Sequence, residues 1–176
     1  FITYILIFIN LVFFMGTVKL GILGAARIAK EQVIPAMKKS KNTELYAIAS
    51  RDISKAEDFC HKFAITKAYD DYNKLISDPN IDALYIPLPN HLHVPFSINA
   101  LKAGKHVLCE KPISITSDEI FELIEVQKET KKIVSEAFMV RFHPQWTETK
   151  KLIQEGETGK LNAIQGLFNY FNTDPN

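Results

Sequence analysis

From Val18 onward the sequence alternates, five times over, between a short apolar run and a stretch with helical periodicity, and few folds accept that order. The apolar runs are VKLGIL (18–23), LYAIAS (45–50), ALYIPL (83–88), KHVLCE (105–110) and KIVSEA (132–137). The spacing predicts helices over 28–38, 54–63, 95–103, 118–130 and 144–155. In the fourth of these, Ile120, Leu123 and Ile124 share one face while Glu122, Glu125 and Lys128 turn outward, as a 3.6-residue period requires. Short apolar strands joined by helices imply an α/β fold, a doubly wound parallel sheet with helices on its faces.

The punctuation agrees. Gly104 stands where a left-handed cap would end the third helix, Ser117 is the predicted N-cap of the fourth, and SDPN (77–80) reads as a turn. Pro35 conflicts with the first helix and is predicted to kink or end it.

The turn after the first run is Gly24-Ala25-Ala26-Arg27-Ile28-Ala29. A dinucleotide-binding turn uses one glycine to turn tightly, a second to let the backbone approach a pyrophosphate, and a third for helix–strand packing. Gly24 holds the first place, Ala26 the second and Ala29 the third. Alanine at the third is an accepted variant. At the second it adds a methyl group but keeps the free N–H groups and positive end of the helix, which attract an anion. Gly24, Ala26, Arg27 and Ile28 are therefore the candidate pyrophosphate contacts. Small residues there also suit plain packing; the position between first strand and first helix favours the cofactor reading.

The second run ends Ser50-Arg51-Asp52. NAD calls for a carboxylate at this point to accept from the ribose hydroxyls, and none comes before Asp52. The guanidinium of Arg51, with Ser50 beside it, suits a 2′-phosphate, which favours NADP over NAD. A solvated loop arginine would read the same.

Two clusters follow later runs, at the carboxyl edge where open α/β sheets take their ligands. In PLPNHLH (87–93) two prolines fix the backbone, making Pro89, Asn90 and His93 candidate contacts. In CEKPIS (109–114), a lysine beside a glutamate at the end of a buried strand can polarise a substrate oxygen or pass a proton. An exposed turn with a surface ion pair between Glu110 and Lys111 has the same spacing. A cis bond before Pro112 would aim the lysine.

Taken in order, GILGAARIA, ASRD, PLPNHLH, AGKHVLCEKPI and EAFMVRFHP resemble the oxidoreductase family named after glucose–fructose oxidoreductase and inositol dehydrogenase. AGKHVLCEKP is the most specific part. The resemblance implies an NAD(P)-binding Rossmann domain over residues 15–140. Residues 141–176 would then be the crossover helix and first strand (161–171) of an antiparallel-sheet α+β substrate domain. It implies that Lys111 is catalytic and binds beside the nicotinamide, that Glu110 neighbours the cofactor ribose, and that Asn90 and His93 border the nicotinamide. Arg141 and His143 would belong to the crossover. The SRD and PLPNHLH forms are most similar to the NADP-using branch of dihydrodiol and xylose dehydrogenases. The implied activity is hydride transfer between NADP(H) and a hydroxyl or carbonyl carbon of a sugar, polyol or trans-dihydrodiol. The family's Asp and His catalytic pair would fall beyond Asn176, so the chain reads as an N-terminal fragment of an enzyme whose full-length form is a homodimer. A cofactor-binding regulator of the same fold, without catalysis, is the alternative; retention of Glu110, Lys111 and Pro112 argues against it.

Composition narrows the field further. A net charge of +1 and dispersed basic residues give no footprint for nucleic acid, and no zinc-type Cys/His spacing suggests a metal. Two cysteines, Cys60 and Cys109, fit a reducing compartment as small buried apolar residues, and a cytoplasmic location is expected. The apolar stretch 1–14 carries no charge, lacks a basic n-region and is shorter than the roughly 20 residues of a spanning helix. It is expected to lie outside the fold and outside any membrane, with Met15 as the natural start.

Overall fold

The computed structural model describes residues 16–167, 169 and 171; the stretch 1–14 and the terminal NTDPN lie outside the described residues. The chain divides into a unit that runs to His143 and another that begins at Pro144. The first holds one six-stranded sheet: β1 (Val18–Leu23), β2 (Thr43–Ala49), β3 (Lys67–Tyr69), β4 (Ala83–Ile86), β5 (His106–Cys109) and β6 (Val134–Glu136). The order is β3-β2-β1-β4-β5-β6, and every neighbouring pair is parallel. That is the order of a Rossmann fold.

Alternation along the strands sorts the core into two layers. Val18, Leu20 and Ile22 of β1 join Ala83 and Tyr85 of β4 and Leu108 of β5 on one face. There they pack with Val33, Ile34 and Met37 of α1 (Ala29–Val33 and Ile34–Met37) and Phe59 and Phe63 of α2 (Ile53–Phe63). Leu84, Ile86, Val107 and Cys109 point to the other face, against α3 (Tyr72–Ile76), α4 (His93–Lys102) and α5 (Ser117–Thr130). Both faces are covered, which is why β4 is buried at every residue and reads as an unbroken apolar run.

Helix α1 is a π-helical turn, Ala29–Val33, followed by an α-helical turn, Ile34–Met37. Of the two outcomes expected at Pro35, ending the helix does not occur; the helix runs on through it, changing from π to α geometry just before the proline. The Ile34 N–H reaches back five residues to Ala29 O, and Pro35 sits in the first turn of the next segment, where an absent N–H costs little.

At α5 the N-cap is Thr116 and not Ser117. The Thr116 hydroxyl accepts from Glu119 N–H while the Glu119 carboxylate returns to the Thr116 N–H, a reciprocal pair that serine one place later could not make. Gly104 behaves as predicted, with φ +79 just past α4. The Ser77–Asn80 turn is closed by Asp78 Oδ1, which accepts from Asn80 N–H at 2.9 Å.

The sequence reading missed β3 and α3, because three strand residues show no period and Lys67-Ala68-Tyr69 is not an apolar run. Cys109 is buried, and burial pushes its thiol up to about 12; Cys60 is only half-buried. The second unit begins with α6 (Pro144–Gln154). The described residues of 161–171 form no strand. A strand exists by pairing, and an apolar run without a partner strand leaves its backbone groups to water. No helix among the described residues is long and apolar enough to cross a membrane.

Candidate functional site

The carboxyl ends of β1 and β4 lie side by side where the strand order reverses, and the turns that leave them diverge to opposite faces. Gly24 makes the first turn with φ +111, a conformation that side chains avoid. Its N–H donates to Ala49 O at 2.9 Å, and a Cβ there would stand 3.1 Å from Leu88 Cδ2. The backbone of this turn is thus tied to β2 on one side and crowded by the β4 loop on the other.

Ser50 and Arg51 follow β2. Ser50 is held by its N–H to Tyr69 O at 3.0 Å, and its hydroxyl accepts from Asp52 N–H at 3.2 Å. Asp52, the one acid available at this strand end, caps α2: Oδ1 accepts from the Ser54 hydroxyl at 2.7 Å and the Ser54 N–H at 3.2 Å. The Ser54 hydroxyl, ahead of the other contacts, holds that carboxyl below its usual range. With its carboxylate taken up by the cap, the exposed cations here are Arg51 and Lys55, the latter 3.9 Å from Asp52.

Two adjoining clefts run along this edge and share Pro87 and Leu88. One, of about 530 Å³, is lined by Gly24, Ala25, Ala26, Ser50, Arg51, Asp52, Lys55, Tyr72 and Pro89. The other, of about 270 Å³, is lined by Ile28, Asn90, His93, Glu110, Lys111 and Met139. A third cavity of about 450 Å³ takes in Arg27 with Lys30, Lys62 and, again, Ala25 and Lys55.

In the second cleft the side chains are oriented from below. Tyr85, fully buried in β4, donates its hydroxyl hydrogen to Glu110 Oε1 at 2.6 Å. The Ile113 N–H donates to Glu136 Oε1 at 2.9 Å, tying the end of β6 to the turn that follows Lys111. His93 is 1% exposed, with Nε2 2.6 Å from Leu88 O and Nδ1 2.7 Å from Pro112 O. The Lys111–Pro112 bond is cis. Lys111 itself is exposed, and no ion pair joins its ammonium to Glu110 among the described residues. The exposed turn of the surface-pair reading is present; its ion pair is not, among the described residues.

The fold thus gathers Gly24, Ala26, Ser50, Arg51 and Pro89 around one cleft and Ile28, Asn90, His93, Glu110 and Lys111 around the next. Arg27 lines the third cavity, and Arg141, exposed on the 3-10 turn Met139–Phe142, lines none of the three. Lys55, Tyr72 and Met139 were missed. Lys55 was open to inference, since it stands one turn into a helix whose start was predicted, on the side of its cap. Tyr72 depends on α3, which left no periodic signal.

Relatives carry the same architecture. The chain is 47% identical over 161 residues to an uncharacterised oxidoreductase of Rhizobium meliloti, covering 92% of this chain and 48% of that protein. It is 39% identical over 150 residues to D-xylose 1-dehydrogenase (NADP(+)) 2 of Haloferax volcanii, covering 85% and 46%. A 3-ketoreductase from Actinomadura kijaniata, solved with NADP and TDP-benzene, superposes with a TM-score of 0.76 at 35% identity, over 80% of this chain and 43% of that one. The chain spans about half the length of the curated relatives it matches. Residues 18–138 match the model of the oxidoreductase family with an NAD-binding Rossmann fold, and the chain belongs to that family.

Proposed function

We propose that this chain is the cofactor half of an NADP-dependent dehydrogenase, and that it binds NADP(H) along the two adjoining clefts. The observation that carries the reading is the adjacency of the two clefts, which share Pro87 and Leu88 and reach from Arg51 after β2 and Lys55 in the first turn of α2, past Gly24, to Glu110 and Lys111 after β5. The residues fit the cofactor. Gly24 leaves open a cradle that a side chain would close against Leu88, and the N-terminal end of α1 offers free N–H groups to a pyrophosphate. Arg51 and Lys55, with Ser50, supply charge and a hydroxyl for a 2′-phosphate, while the nearest carboxylate is committed to a helix cap.

The bound nicotinamide would supply or accept the hydride. Lys111 would hold and polarise the reacting oxygen of the substrate, an ammonium being suited to oxygen that gains negative charge in the transition state. Glu110, fixed by Tyr85, would face the adjoining ribose, and Asn90 would border the ring. The substrate would be a sugar, polyol or related diol, oxidised at a hydroxyl-bearing carbon or reduced at the matching carbonyl. Residues 141–176 would begin the substrate domain, and the full-length enzyme would be a homodimer.

Calorimetric titration of the chain with NADPH and NADH tests the cofactor claim. Saturable binding of NADPH, at least about tenfold tighter than NADH, is the expected result, since a charged pair to one phosphate is worth more than about 1.4 kcal/mol. Equal affinities would remove Arg51 and Lys55 from the role given them.

A further inference from the structure

His93 reaches both loops that border the second cleft, and both of its ring nitrogens are engaged. Nε2 stands 2.6 Å from Leu88 O, in the loop after β4, and Nδ1 stands 2.7 Å from Pro112 O, in the turn after β5. The ring is 1% exposed, at the first residue of α4. Both partners are carbonyl oxygens, which only accept, so a ring N–H is directed at backbone and neither nitrogen is free to meet a ligand. Neither β4 nor β5 reaches the two loops: the ladder between them ends at Ile86 and Cys109, with the Glu110 N–H donating to Ile86 O at 3.0 Å as the last rung. Beyond that rung, the His93 side chain touches both loops.

We infer that His93 is a positioning residue: it sets the spacing between the loop carrying Asn90 and the turn carrying Lys111, and so shapes the nicotinamide end of the groove without touching the cofactor. This rests on the reading of the groove as an NADP(H) site. It gives His93 a different part from that of a ligand contact. A buried ring with one N–H hydrogen-bonds one of the two carbonyls and packs against the other, so its bulk sets the separation of the two segments and loss of the N–H leaves a buried acceptor unpaired. The adenosine end of the groove, at Ser50, Arg51 and Lys55, is anchored separately through β2 and the Asp52 cap. The two ends should therefore respond differently to a change at His93.

The test uses two probes on one chain. NADPH spans the whole groove; 2′,5′-ADP fills only its adenosine end. In His93→Leu, which keeps bulk but cannot hydrogen-bond, NADPH affinity should fall about tenfold, the cost of about one buried hydrogen bond. Affinity for 2′,5′-ADP should stay within about twofold. His93→Gln keeps one donor and should fall between wild type and His93→Leu, which also serves if the leucine variant does not fold. Equal losses for both probes would make His93 a general stabiliser of the domain and overturn the inference, as would unchanged NADPH binding in both variants. Failure of the wild-type chain to bind either probe would instead overturn the NADP(H) reading itself, and the inference with it.

Discussion

Tyr85, buried at the centre of β4, donates its hydroxyl hydrogen to Glu110 Oε1 at 2.6 Å, so the carboxylate that ends β5 is held from inside the core. Tyr85→Phe keeps the ring and removes that donor. The variant should lose about 1–2 kcal/mol of folding stability, because the hydrogen bond goes to a charged group. Urea denaturation measures this. An unchanged midpoint would mean that Glu110 is equally well satisfied by water.

The loop that feeds β4 depends on a buried ammonium. Lys105, 7% exposed, donates from Nζ to Asp78 O at 2.7 Å and to Ile81 O at 2.8 Å, and burial holds its pKa below the ordinary lysine value. Asp78 in turn accepts from the Tyr69 hydroxyl at 2.6 Å and from Lys67 at 3.0 Å. Burial pushes the Asp78 carboxyl up, but these donors and the Asn80 N–H together hold it well below the usual carboxylate range. Lys105→Met removes the ammonium donor from both carbonyls, leaving Asp78 O with the Ile81 N–H at 3.3 Å, and should cost about 2 kcal/mol by chemical denaturation. A neutral result would show that water enters in the ammonium's place.

His106 makes stability depend on pH. The Ile133 N–H donates to His106 Nδ1 at 3.0 Å, a bond that needs that nitrogen unprotonated. Burial first, and then the Lys132 charge, hold the ring below its ordinary value of 6.5. As pH falls through 6.5 the unfolded chain takes up a proton that the folded chain still refuses, so the unfolded state gains and stability declines. Melting temperature should be flat above that value and fall below it. His106→Gln should flatten that decline until the carboxylates begin to titrate. A slope unchanged by the substitution would assign it to another group.

Arg51→Ala should weaken NADPH binding by about tenfold or more while leaving NADH nearly untouched, because the guanidinium is given no role toward an unphosphorylated ribose. Parallel titrations read this as a ratio. A loss shared equally by both cofactors would place Arg51 in support of the loop and not of the phosphate.

The sequence reveals the sheet because buried parallel strands are continuous apolar runs, and β4 and β5 carry no residue that breaks theirs apart from His106 at the edge of burial. It is silent on β3 and α3, whose few residues are recruited by pairing with β2 and packing under Leu84, not by any pattern of their own. Gly24, Ser50 and Arg51, singled out by turn and phosphate chemistry, and Lys111, singled out beside Glu110, do line the two clefts. The role of His93 could not be read, since two contacts to backbone carbonyls leave no trace in residue identity. The commitment of Asp52 to the α2 cap was also hidden, since it rests on the Ser54 hydroxyl and N–H that claim its carboxylate.

The most direct test of the central claim is an amide NMR titration of this chain with NADPH. Shifts should gather at residues 24–28, 50–55, 90–93 and 110–111, with little change at the separate cleft formed by Lys38, Glu44 and Phe63. Shifts centred on that cleft, or none at saturating NADPH, would contradict the assignment of the groove.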